Sequence, residues 1–87
     1  MVQLIQTGER IQHDDGFGLY PDQYILLGHI EEYKEMSGVK SGIVLALGNR
    51  NDKDAMWELY KEYLFSGQYG ELYLTYFGVV EASGVYA

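Results

Sequence analysis

The sequence predicts an α+β fold, a small antiparallel or mixed sheet of three to five strands with one helix packed on one face. Three observations carry that prediction: a helical repeat over residues 53–65, apolar β-forming runs at residues 24–27, 43–47 and 71–80, and glycine-bearing turns between them. The 87 residues suffice for one core, so a single domain is expected over residues 1–87.

At the N-terminus, residues 2–6 and 9–12 flank Thr7 and Gly8, a pattern for a short hairpin or for a single edge strand. His13, Asp14, Asp15, Gly16, Phe17, Gly18 and Leu19 read as a polar loop, and Pro21 fixes a turn after it. Tyr24, Ile25, Leu26 and Leu27 open the first main strand, expected over residues 23–33. A helical turn over residues 29–36 competes with its second half, because Glu31, Glu32, Lys34 and Glu35 favour helix. Two Ser-Gly pairs, at residues 37–38 and 41–42, mark the turn into a second strand over residues 42–48.

The period then changes. Asn51 or Asp52 can accept from the free amides of a helix start, and Asp54 places negative charge at its positive end. Ala55, Met56, Leu59, Tyr60, Tyr63 and Leu64 recur at helical spacing, with Lys53, Glu58, Lys61 and Glu62 mostly opposite. Gly67 suits the left-handed position after the helix. The last main strand is expected over residues 71–78, with Gly78 as a bulge or end, and residues 85–87 as a further edge strand or a frayed tail. If both strands share one sheet, the strand-helix-strand connection should be right-handed.

Successive strand side chains point to opposite faces, so a sheet with one wet face alternates apolar with polar residues. These strands do not. Tyr24 and Leu26 oppose Ile25 and Leu27; Ile43, Leu45 and Leu47 oppose Val44 and Ala46; Leu72, Leu74 and Tyr76 oppose Tyr73, Thr75 and Phe77. Both faces are therefore expected to be buried, while one helix covers only one. The second cover is either the N-terminal segment, with Phe17 and Leu19, or a second copy of the chain.

Composition removes several function classes. Six basic against thirteen acidic residues give a formal charge of −7, which repels phosphate and anionic lipid, so no nucleic-acid or membrane partner is expected. No cysteine is present, which excludes thiol catalysis and Cys-ligated metal. Without a leader-like N-terminus or an apolar run of spanning length, a cytoplasmic location is expected.

The remaining candidates for chemistry are few. Gly16-Phe17-Gly18 lacks the third glycine of a phosphate loop and leads to Pro21 and a strand. His13, Asp14 and Asp15 could approach a metal but have no second histidine at ligand spacing, so turn chemistry is the expected role. His29 lies among Leu27, Gly28 and Ile30 with no nucleophile beside it, as a hydrogen-bonded sheet residue would. Glu31 and Glu32 point to opposite sides of a strand and cannot act as an acid and base pair. Arg50 with Asn49 and Asn51 could hold an anion at the helix start, but Asp52 and Asp54 compete for the same amides. Trp57 lies off the apolar stripe, where it either widens the core face or anchors a partner.

Tyr20-Pro21-Asp22-Gln23-Tyr24-Ile25-Leu26-Leu27, Ser41-Gly42-Ile43-Val44-Leu45 and Tyr76-Phe77-Gly78 together resemble a group of small uncharacterised bacterial proteins. Their pattern is Tyr-Pro, an aromatic strand start, a long hairpin to Ser-Gly-aliphatic-Val-Leu, a helix, and a strand ending in Gly. The resemblance covers residues 20–78, and Tyr24 stands where the group carries Trp. It implies a bacterial protein with that order of elements and assigns no catalytic residue.

Strands apolar on both faces, without a catalytic constellation, point to a non-enzymatic protein-interaction module that self-associates and uses no cofactor. The expected contact residues are Trp57, Tyr73, Thr75 and Phe77, with a two-fold homodimer, or another protein, on the Tyr73, Thr75 and Phe77 face. The alternative is a small-molecule binder or minor enzyme with a pocket near His13, His29 or Arg50.

Overall fold

The computed structural model describes residues 1–6, 8–35 and 38–77, the Phe17 side chain excepted. The chain is α+β. Its elements are β1 (Gln3–Leu4), β2 (Arg10–Gln12), a 3-10 turn (His13–Asp15), α1 (Gly16–Leu19), β3 (Gln23–Glu32), β4 (Val39–Asn49), a second 3-10 turn (Arg50–Asp52), α2 (Lys53–Ser66) and β5 (Tyr73–Phe77). The strands form one antiparallel sheet in the order β1-β4-β3-β5, with β2 also on β4.

β3 and β4 make a long hairpin from Gln23↔Asn49 to Glu32↔Val39. The competing helical turn does not form over residues 29–32, which stay in β3. β5 pairs with the other side of β3, from Gln23↔Phe77 to Leu27↔Tyr73. β4 and β5 therefore run parallel with β3 between them, and α2 is the crossover that parallel strands require. Gly78 and residues 85–87 lie outside the described residues.

The N-terminal segment follows the edge-strand expectation. β1 and β2 each pair with β4, through Gln3↔Leu47 and Arg10↔Ile43, rather than with each other. The expected loop at 13–19 is instead a 3-10 turn followed by the single helical turn α1, in which the Tyr20 amide donates to the Gly16 carbonyl at 2.8 Å.

Three register shifts interrupt the β3–β4 pairing, and the first two set which side chains face where. Leu26 pairs with Ala46 but Leu27 with Val44, so Leu45 is an extra residue in β4. That insertion turns Ala46 towards α2 beside Leu45, and Leu47 away from it, reversing the alternation expected after Leu45. The second irregularity lies between Gly28 and Glu31, where His29 takes a φ of 47°. Its amide donates to the Tyr69 carbonyl at 2.7 Å, so the exposed His29 sits at a tie between the sheet and the segment after α2.

α2 starts at Lys53 with Asp52 before it, as expected, but the side-chain cap belongs to the 3-10 turn ahead of it and is made by Asn49. The Asn49 side chain accepts from the Asn51 amide at 2.8 Å, and Asp52 returns to accept from the Asn49 amide at 2.9 Å. These two bonds satisfy amides that the first turn leaves free. Gly67, with a φ of 68°, ends the helix as expected. Met56 is its fully buried residue and packs with Leu26, Leu45 and Ala46, flanked by Leu59, Tyr60 and Tyr63.

Ile25, Leu26 and Leu27 are consecutive and fully buried, so both faces of β3 are covered. The second face holds Ile25, Leu27, Val44, Leu47 and Phe77, and Ile5, Ile11 and Tyr20 pack against it. The His13 ring lies 5.6 Å from that of Tyr73 and 5.4 Å from that of Phe77. A methyl at Gly16 would enter the Phe77 ring, so α1 approaches closely only because residue 16 is glycine. The cover is thus the N-terminal segment, through Ile5, Ile11, His13 and Tyr20 rather than through Leu19, which is 55% exposed. Phe77 is 1% exposed, so it does not offer the surface expected for a homodimer contact.

Candidate interaction surface

α2 carries apolar residues on two sides. The inner side is the core stripe of Met56, Leu59, Tyr60 and Tyr63. Trp57 stands one residue past Met56, and Leu64 and Phe65 follow it by seven and eight residues, which returns them to the same outer side. Trp57 is 42%, Leu64 52% and Phe65 88% exposed. Leu64 was expected in the inner stripe, but counting from Trp57 assigns it outward, and the same count identifies Phe65.

Trp57 is held by the core without being part of it. Its indole meets the half-buried Tyr60 edge-on, at 5.4 Å between centroids and 74° between planes. Tyr63 stacks on Tyr69 at 4.5 Å and 24°, which locks the last turn of α2 to the chain after it. Burial, then the neighbouring Tyr69 and Glu62, push the Tyr63 hydroxyl above the usual phenol range. The outer stripe thus sits on a helix anchored by aromatic contacts beneath it. Between Trp57 and Leu64 lies Lys61, whose ammonium is 3.5 Å from the Glu58 carboxylate. Beyond Glu58 and Glu62 the surface dips into a shallow groove of about 380 Å³ floored by Val2, Leu4, Ala55 and Leu59.

The other residues singled out in the sequence are not brought together. His13 covers Phe77, with Asp14 3.4 Å from its Nδ1. Tyr73 and Thr75 are half-buried in β5. Arg50 donates to Asp22 at 2.6 Å, and Tyr76 donates its hydroxyl to the same carboxylate. The Arg50 guanidinium, then the Tyr76 hydroxyl, hold the Asp22 carboxyl below the usual carboxylate range. Arg50 is thereby committed to an internal ion pair. At the helix start Asp52 takes the Met1 ammonium at 2.9 Å, so a carboxylate occupies the place proposed for an anion.

Among the described residues no three His, Cys, Asp or Glu side chains gather as a metal site would require. A second concavity, of about 540 Å³, lies at the far end of the β3–β4 hairpin between Glu31, Glu32, Tyr33, Lys34, Glu35 and Lys40. Neither concavity is lined by His13, His29 or Arg50. No helix among the described residues is long and apolar enough to cross a membrane. No protein-family model, curated protein or solved structure matches the chain.

Proposed function

We propose that the protein is a non-enzymatic interaction module whose contact surface is the outer side of α2. The observation that carries this is the exposure of Trp57, Leu64 and Phe65 along one side of a helix whose opposite side is packed. Large aromatic side chains left half in water on a rigid element are the residues that dominate protein contacts. Their exposure is not needed for folding, because Met56, Leu59, Tyr60 and Tyr63 already anchor α2. The partner is another protein chain, and self-association is the form favoured.

A benzophenone amino acid in place of Phe65 tests the surface. Irradiation in cells should give one discrete adduct, whose mass identifies the partner as a second copy or as another protein. The same group in place of Leu19, which is 55% exposed on α1 across the sheet, should give none. Equal adducts from both positions, or none from position 65, would count against α2 as the contact surface.

A further inference from the structure

We infer that the groove between β1 and α2 takes an extended basic segment of another protein, laid along the outer edge of β1 with lysine or arginine at alternate positions. This is a second surface, independent of the one proposed above, because none of Trp57, Leu64 and Phe65 lines the groove. Its floor is Val2, Leu4, Ala55 and Leu59, and its acidic rim is Glu58 and Glu62. Val2 and Leu4 alternate along the chain and so point to one side, the side on which Ala46, the cross-strand partner of Leu4, packs with α2. Leu4 is 58% exposed, so the apolar sheet surface continues past the cover that the helix provides.

An apolar floor with a carboxylate rim is the complement of a long basic side chain, whose stem lies on apolar surface while its head reaches the charge. Glu58 and Glu62 stand one turn apart, about 6 Å along the helix axis. Alternate side chains of a strand are about 6.7 Å apart, so two bases at that spacing match both carboxylates. β1 supplies the backbone for such a strand. It ends the sheet, and among the described residues it pairs only with β4. Residues 2–6 carry no charged side chain and no proline to keep another strand away. A strand added there turns every second side chain to the α2 side, beside Leu4.

Charge selects the occupant. The chain carries −7, which draws a basic segment from a distance. Glu62 forms no ion pair among the described residues, and Glu58 meets Lys61 at 3.5 Å with both side chains mostly exposed. Such an exposed pair is worth little and yields to an incoming base. A second copy does not fit. The basic residues of this chain are Arg10, Lys34, Lys40, Arg50, Lys53 and Lys61, and no two of them stand two apart in the sequence. Arg10 and Arg50 are in addition tied to Ser41 and Asp22.

The probe is a fluorescein-labelled peptide of alternating lysine and threonine, about eight residues long, followed by fluorescence anisotropy. Wild type should bind it with a Kd of about 100 μM, more weakly as salt rises. Glu58→Gln with Glu62→Gln should weaken binding by about tenfold, with circular dichroism to show that α2 is intact. Glu32→Gln with Glu35→Gln, at the far end of the β3–β4 hairpin, removes the same charge and should change binding by less than about twofold. Equal weakening by the two double variants would overturn the groove as the site and leave only general attraction to an acidic protein. No binding at about 1 mM peptide would also overturn it. Two further peptides are N-methylated, one at every lysine and one at every threonine. One should lose binding and the other keep it, because the amides of alternate residues point to opposite edges of a strand. Equal affinity of both for wild type would overturn pairing with β1.

Discussion

The His13 imidazole sits 5.4 Å from the Phe77 ring, centroid to centroid, and closes the second face of the sheet from within the same chain. Phe77 is accordingly a core residue. Phe77→Ala should cost about 3–5 kcal/mol of folding stability, the range for truncating a buried phenylalanine. Urea unfolding measures it, and a loss below about 1 kcal/mol would mean that the N-terminal segment does not hold the face closed.

Much of this fold is legible in the sequence, because β3, β4 and α2 announce themselves by local pattern. The apolar runs and the 53–65 repeat need no distant information, and the left-handed Gly67 ends the helix where its residue type suggests. What escapes is set by tertiary register. The extra residue at Leu45 reverses the faces of Ala46 and Leu47, and only the alignment of β3 against β4 decides it. The path of residues 3–20 over the second face depends likewise on contacts with Phe77, Val44 and Leu47 that are remote in sequence. The candidate surface was half legible: Trp57 stood out, while Leu64 and Phe65 needed the helix to be read from Trp57 rather than from Met56.

Arg10 braces the His29 bulge. Its guanidinium donates to Ser41 Oγ at 2.9 Å and to the His29 carbonyl at 2.8 Å. Ser41 is 1% exposed, so Arg10→Ala leaves a buried hydroxyl without that donor and should destabilise the chain by about 1–3 kcal/mol. Arg10→Lys should recover only part of this, since a single ammonium lacks the two-pronged geometry. Thermal unfolding of the two variants checks the order; equal stability of Arg10→Ala and wild type would refute the brace.

His29, at a φ of 47°, occupies a conformation that glycine adopts freely. His29→Gly should therefore leave stability unchanged or raise it by up to about 1 kcal/mol, although glycine weakens most strands. A clear loss in the same unfolding assay would show that the imidazole itself holds the bulge.

Acid should destabilise the fold through two carboxylates. Arg50 and Tyr76 lower the Asp22 pKa, and the Met1 ammonium and the Asn49 amide lower that of Asp52. Groups depressed in the folded state contribute their full stability above the unfolded carboxylate value of about 4, and lose it as pH falls through the folded values. The urea midpoint should therefore drop on acidification below about pH 4. Asp22→Asn with Asp52→Asn should lower the midpoint near neutral pH and flatten that drop; an unchanged acid slope in the double variant would exclude these two groups as its source.

The most direct measurement of α2 as a contact surface uses Trp57, the sole tryptophan of the chain. Its indole is 42% exposed in the single chain, so acrylamide should quench its emission readily at about 1 μM. As concentration rises to about 500 μM, the emission should shift to shorter wavelength and quenching should weaken as a second copy covers the ring. Phe65→Asp should keep the dilute spectrum at every concentration. A wild-type emission equally quenchable across the whole range would contradict burial of Trp57 in a second copy.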